Sequence, residues 1–401
     1  ATTPSGDPLA LQWYKDDQII PGANGAEYIT PTLTLADDGA EYHAKIYSLA
    51  GTFLSDKAAL TVVPDTFPPV PSAGALVNRD GTTIDVGIGY DEPVTDATAS
   101  VQANYTLNNG TMSSFTYYPE SQSALMSVTG LNPGDTASVT VRNVADVVGN
   151  AISSDGVEAA FTVSEDLLWN IVGDPTTELS DWGPFPLDGN FVVPVADDGF
   201  DILSNGRKQW NNYDETTFVY EEITGDFDKK LRVEYQDNSS QWARAGLVVR
   251  ELTNFGVDVD AQRGSADWNN TANAAPDGLA TRYQKCHVNP VGPTLTGPGN
   301  NGNGSWEGNR RLNQGGESSS PGGGGTPLYP DAWCRIQRVG DTFTIYRSDN
   351  GQNWVQLGQT TFDPPMPELL YVGPDYSPEI GNISLPEDRG TFLAKLRDYG
   401  D

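Results

Sequence analysis

The chain has 401 residues, with 54 acidic against 23 basic side chains and a formal net charge of −31. So acidic a surface repels phosphate backbones and anionic lipid, which argues against nucleic acid and membrane surfaces as partners. Thr, Val, Tyr and Gly are plentiful, no window holds a sustained apolar 3.6 period, and no run approaches the roughly 20 apolar residues of a membrane span; an all-β chain with no membrane insertion is expected.

The acidity is spread along the chain: residues 1–65 carry 3 basic and 9 acidic groups, residues 66–164 carry 2 and 10, and residues 165–401 carry 18 and 35. Solubility accounts for it without any single acidic site, and it suits salty or calcium-containing water outside the cell. The opening Ala1-Thr2-Thr3-Pro4 has neither a basic nor an apolar leader region. A removed signal, or a start inside a longer polypeptide, is therefore expected.

Residues 1–64 form the first predicted domain. LALQWYKD reads as a strand with Trp13 turned inward, Ile19 to Ala23 as a turn, YHAKIYS as a second strand, and Phe53 to Val63 as the closing segment. With Trp13 at the core-tryptophan position and Tyr42 at the tyrosine corner, this segment resembles the bacterial I-set-like immunoglobulin repeat. Ala44 stands where antibody domains carry a cysteine, so the inter-sheet disulfide of those domains is missing. Only twelve residues precede Trp13, and the resemblance implies two further strands before it. Such a segment is either a fragment of a larger domain or a sandwich that invites strand addition, and in the second case self-association or neighbouring subunits of a polymer are the expected partners.

Asp65-Thr66-Phe67-Pro68-Pro69 reads as a stiff linker into residues 65–164. There GTTIDVGIGYDEPV, ANYTLNNGT, SALMSVTGL and GDTASVTVRNVADVVGNAI follow at the spacing of short strands and turns. Asp91-Glu92-Pro93-Val94, Asn104-Tyr105-Thr106-Leu107 and Asp146-Val147-Val148-Gly149-Asn150 resemble the bacterial Ig-like domain of S-layer and adhesin proteins. Asp and Asn in such strings close turns more readily than they bind calcium, so no cofactor is required and calcium stays open.

The third domain, residues 165–401, holds the clearest pattern. Trp333 to Trp354 alternates apolar and polar side chains through WCRIQRV and TFTIYRS, with turns at Val339-Gly340-Asp341 and Ser348 to Asn353. Together with Gly199-Phe200-Asp201-Ile202, Gly225-Asp226-Phe227-Asp228 and Ala243 to Arg250, it resembles a bacterial β-jelly-roll of the concanavalin/laminin-G-like type. The fold class is thus all-β: two Ig-like β-sandwiches followed by a concanavalin-like jelly roll. The resemblance, to exported multidomain proteins, implies an extracellular or cell-surface location. Such a fold carries lectins, glycosidases and structural modules alike.

Residues 291–328 are rich in glycine, including Gly322 to Gly325, and read as a long surface loop holding Trp306, Arg310 and Arg311. With Trp210 and Trp268, in Asn/Gly/Asp-rich stretches, these are the candidates for stacking on a sugar or docking on a partner. Cys286 and Cys334 lie in strand-like segments. As neighbours in one sheet they would close a disulfide worth about 3–4 kcal/mol; two buried thiols are the other reading.

Catalysis finds little support. The two histidines, His43 and His287, fall in different modules, and neither HExxH nor a phosphate-cradling glycine motif occurs. Laminarinase-like jelly rolls carry E-x-D-x-x-E on one strand, a string absent from this chain. The chain is therefore expected not to be an enzyme. An extracellular structural or adhesive protein, with the repeating subunit of a surface filament built by strand pairing as its finer form, is the first functional expectation. A secreted carbohydrate-binding protein, with a lectin-like head taking a polysaccharide, is the second.

Overall fold

The computed structural model describes residues 10–25, 28, 30–31, 33–48, 51–79, 81–172, 189–206, 209–210, 213–251, 281–290, 304–314, 316–379 and 390–401. Almost all regular structure is antiparallel strand, as the sequence predicts. Among the described residues no helix is long and apolar enough to cross a membrane. The chain divides into two compact units, Ala1–Phe67 and Pro68–Asp401, and the break falls at the Pro68-Pro69 pair.

In the first unit Gln18–Ile19, Ala10–Lys15, Glu41–Ser48 and Gly51–Leu54 lie side by side, and Ala58–Ala59 also pairs with Glu41–Ser48. The hairpin closes through Asp16 and Asp17, both at positive φ (50° and 61°), a conformation that Asp tolerates in a two-residue turn. Among the described residues this sheet buries little: Ala40, His43 and Ala44 are buried, whereas Ile19, Phe53 and Leu54 are 59%, 54% and 67% exposed. Trp13, expected to point into a core, is half-buried, and its indole N–H donates to the Gly25 carbonyl (3.1 Å).

The second unit opens with a two-sheet sandwich. One sheet runs Pro71–Val77, Ile84–Tyr90, Ser123–Thr129, Thr111–Tyr118; the other runs Val157–Thr162, Thr136–Val141, Tyr105–Leu107. Alternation along Ile84–Tyr90 sends Ile84, Val86 and Ile88 inward against Met126, Val128, Val139 and Phe161. The other face of this strand is glycine at two positions for a steric reason. A Cβ on Gly87 would lie 2.4 Å from the Pro194 carbonyl oxygen, and one on Gly89 would lie 2.8 Å from the Val195 Cβ. This sandwich therefore packs directly on the strand Phe191–Ala196, where Val193, Val195, Leu203 and Leu393 meet Tyr118 and Leu125. Asp146 is committed to its turn: Oδ1 accepts from the amides of Val148, Gly149 and Asn150 at 2.9, 2.6 and 2.9 Å.

Two seven-stranded sheets face each other in the rest of the unit. The first runs Phe191–Ala196, Gly199–Ser204, Phe392–Gly400, Phe227–Gln236, Ala332–Val339, Thr342–Ser348, Val355–Thr361. The second runs Leu168–Val172, Thr216–Thr224, Leu369–Ser377, Arg244–Arg250, Tyr283–Val288, Trp306–Arg311, Ser318–Gly324. Between them lies one apolar core that includes Phe200, Leu231, Leu247, Trp306, Ile336, Ile345, Val372 and Leu396. The expected meander forms, with Trp333 opposite Ser348 and Val339 opposite Thr342.

The glycine-rich segment departs from the sequence reading. Its described part is no surface loop, because Trp306–Arg311 and Ser318–Gly324 are the last two strands of the second sheet. Glycine is needed there because the sheets approach closely: a Cβ on Gly322 (φ 155°) would sit 2.0 Å from the Leu357 carbonyl oxygen, and one on Gly308 would sit 2.2 Å from Ile345 Cδ1. The cysteines differ as well. Cys286 and Cys334 belong to facing sheets, not to neighbouring strands of one sheet, and both are free, buried thiols. Burial, and then contact with Cys286, pushes the Cys334 thiol well up. The Cys286 thiol donates to the Tyr346 carbonyl (3.2 Å).

Candidate functional site

Because side chains alternate across a strand, each strand of the second sheet sends every other residue into the apolar core and the rest to its opposite face. On Arg244–Arg250 the opposite face receives Arg244 and Arg250; on Tyr283–Val288 it receives Tyr283, Lys285 and His287. Leu369–Ser377 adds Asp375 and Ser377, and Trp306–Arg311 adds Glu307, Asn309 and Arg311. Nearly all of these polar side chains are buried, and Lys285, His287, Arg311 and Asp375 are 0% exposed.

Charges buried in this way persist only when paired. Asp214 takes two guanidinium groups: Arg311 at 2.8 and 3.0 Å and Arg250 at 3.0 Å. Burial raises the Asp214 pKa, but the two arginines outweigh it and hold the carboxyl down at about 2. The Lys285 ammonium reaches Asp375 (2.8 Å) and Gln209 Oε1 (2.6 Å), and burial pulls it down to about 8. Burial shifts Asp375 upward against the pull of Lys285. Two carboxyls on one face thus have opposed acidities, with Asp214 firmly ionised and Asp375 held more weakly so.

The third cluster surrounds Arg244, which is ion-paired with Glu379 and lies 5.6 Å from the centre of the half-buried Trp210 ring. Glu379 occupies the left-handed region (φ 54°), a conformation uncommon for a residue with a side chain. His287 Nε2 lies 3.5 Å from Glu307, and burial holds the imidazole down at about 3, so it is neutral at physiological pH. Several polar atoms here have no hydrogen-bond partner among the described residues: Asp375 Oδ1, Gln209 Nε2, Ser377 Oγ, Arg250 Nη1 and His287 Nδ1. Native proteins satisfy nearly all buried polar groups, so such atoms are positions at which water or a ligand can be taken up.

The structure separates the residues expected from the sequence. Arg311 lies at the heart of the network, and Trp210 stands at its Arg244 edge. Trp306 belongs to the opposite face: it is 0% exposed in the apolar core and donates to the Trp333 carbonyl (3.0 Å), so it is no exposed platform. The reason is its place on the strand, five residues from Arg311 and therefore on the other face. Arg310 is half-buried and turns toward the first sheet, reaching Thr360 Oγ1 (3.1 Å). Trp268 lies outside the described residues. Sequence reasoning missed Arg244, Arg250, Lys285 and Asp375, and set His287 aside. The available signal was charge at alternate positions, Lys285 and His287 flanking Cys286, and Glu307 and Arg311 enclosing Gly308.

No family model matches the chain, and no curated protein matches it. Among solved structures it is similar to a functionally unknown protein from Saccharomyces cerevisiae, at 16% identity and TM-score 0.36 over 56% of this chain and 97% of that one. It is similar to xylan beta-1,4-xylosidase from Bacillus halodurans C-125 at 12% identity and TM-score 0.32, over 100% of this chain and 75% of that one. It is also similar to lectin I-B4 from Griffonia simplicifolia at 11% identity and TM-score 0.25, over 59% and 94%. The expectation that the chain is not an enzyme is corrected here, because glycosidases stand among the structures it resembles. That expectation leaned on the absence of a one-strand acidic motif. In the structure Asp214, Glu307 and Asp375 come from three separate strands, an arrangement no contiguous motif reports.

Proposed function

We propose that the chain is a secreted, carbohydrate-recognising protein whose last module takes a sugar at the Trp210 edge of the buried polar network. The observation that carries this reading is the set of unpartnered polar atoms on Asp375, Gln209, His287 and Ser377, in the same network as an indole over Arg244. A sugar both donates and accepts hydrogen bonds through its hydroxyls and offers an apolar ring face to an aromatic side chain. The cations Arg244, Arg250, Lys285 and Arg311 face the carboxylates of Asp214, Asp375, Glu307 and Glu379, so no net positive field selects a polyanion. A formal charge of −31 likewise favours neutral polysaccharides over acidic ones, and suits a soluble protein outside the cell or at its surface.

The fibre reading rests on the thin first unit and uses none of the network, so recognition of sugar takes precedence over it. The test is a glycan array followed by calorimetry on the intact chain, with Trp210→Ala as the variant. Binding of a neutral glycan, weakened about tenfold by Trp210→Ala at unchanged melting temperature, supports the proposal. Absence of any glycan ligand, or equal binding by the variant, overturns it. Measuring released reducing ends in the same samples shows whether the site also cleaves what it holds.

A further inference from the structure

A cavity lies on the other sheet, where the two-sheet sandwich packs against the strands Gly199–Ser204 and Phe392–Gly400. It is a cleft of about 560 Å³, lined by Asp91 and Glu92 from the sandwich and by Asp201, Glu234, Lys395 and Arg397 from the sheet. That volume lies within the range of small-molecule sites, on the order of 300–1,000 Å³.

The charges in the cleft are unequally engaged. Arg397 is held by Asp201 (2.6 Å), by the Phe200 carbonyl (3.1 Å) and by Glu234 (3.4 Å), and Asp201 is 1% exposed. Asp91 Oδ1 accepts the Val70 amide (2.7 Å), which leaves its second oxygen for the cleft. The Lys395 ammonium, with four carboxylates around the same cavity, makes no hydrogen bond or ion pair among the described residues. At the rim Gln122 is held at φ 56°, with its amide donating to the Val94 carbonyl (3.1 Å).

We infer that this cleft is a second ligand site, for a neutral, hydroxyl-rich molecule of about disaccharide size bridging Lys395 and Asp91. A hydroxyl accepts from the ammonium and donates to the carboxylate in one geometry, which a simple anion or cation cannot do. An anion meets four carboxylates against two cations, and a cation meets Lys395. The inference is independent of the network site, because the two lie on different sheets and share no residue.

The experiment is calorimetry of the intact chain with four probes: cellobiose, digalacturonate, glucosamine and glycylglycine. Hydrogen-exchange footprinting is run on whichever probe binds. Cellobiose binding, protection of residues 89–93 and 121–122, a tenfold or greater loss in Lys395→Ala and no loss in Trp210→Ala would support the cleft. Lys395 has no partner to lose, so this variant is expected to fold. A preference for any charged probe, protection only elsewhere, or unchanged affinity in Lys395→Ala overturns the inference. Failure of the network site alone shows instead as an inert Trp210→Ala with the cleft footprint intact.

Discussion

The outward faces of the two seven-stranded sheets use the same residue types to different effect. On the first sheet Arg335 grips Asp228 through two nitrogens, at 2.6 and 2.5 Å, with the two side chains 24% and 40% exposed. On the second sheet Arg311 grips Asp214 at comparable distances, with side chains 0% and 5% exposed. Water screens the first pair and solvates either partner left alone, so its net contribution is small. The second pair has no such recourse, and its importance lies in what its loss leaves behind. Equal geometry does not mean equal energy; burial decides.

The sharpest way to break this comparison is Asp214→Ala, which strands two buried guanidinium groups, those of Arg250 and Arg311. Removing one member of a buried pair costs about 3–5 kcal/mol, and urea melts should show the loss at unchanged m-value. If the cost stays below about 1 kcal/mol, the network is wetter than its burial implies, and the contrast between the faces fails.

Next in size is the pair of thiols joining the two sheets. Cys286 and Cys334 touch across the shared core, and their oxidation would tie the sheets together with a stabilisation of about 3–4 kcal/mol in the chain-entropy model. Mass spectrometry of protein exported to an oxidising compartment should show a loss of two hydrogens, and the melting temperature should fall on reduction. Two alkylatable thiols in such material would show that packing blocks the bond.

Much of this fold was legible in the sequence, because strand alternation and turn residues are local. Trp333 to Trp354 shows this: its period of two and its glycines at 340 and 351 define the meander before any packing is known, and a Cβ on Gly351 would strike the Trp333 ring at 2.8 Å. The segment holding Trp306 and Gly322 was misread because glycine permits both a loop and a close approach of sheets, and composition does not separate the two. The site was legible only in part. Arg311 and Trp210 were singled out by residue type, but Asp375 reaches Lys285 across 90 residues of chain and Asp214 reaches Arg311 across 97, separations no short motif records.

Acid provides a finer probe of the same contrast. His287 has its folded pKa held down at about 3 against an ordinary 6.5, so between those values the unfolded chain binds a proton that the folded chain refuses. Its contribution is therefore lost as pH falls from 6.5 toward 3, by an amount on the order of a few kcal/mol. Asp214, held down at about 2, adds a separate loss only below about pH 4. Stability measured from pH 7 to pH 4 should decline in the parent chain and run flatter in His287→Gln. Parallel curves would mean that water already reaches the imidazole.

The smallest expected effect completes the comparison. Arg335→Ala removes an exposed pair and leaves Asp228 with Gln337 as a hydrogen-bond partner (3.0 Å), so the cost should lie below about 1 kcal/mol and shrink further in high salt. The guanidinium also lies 5.0 Å from the centre of the Tyr346 ring and 5.4 Å from that of Trp354, so part of the loss is packing that salt does not screen. Comparing Arg335→Ala with Arg335→Lys at low and high ionic strength separates the two contributions. A salt-dependent loss that the lysine repairs assigns the energy to charge, and a salt-independent loss shared by both variants assigns it to the planar guanidinium stacked between two rings.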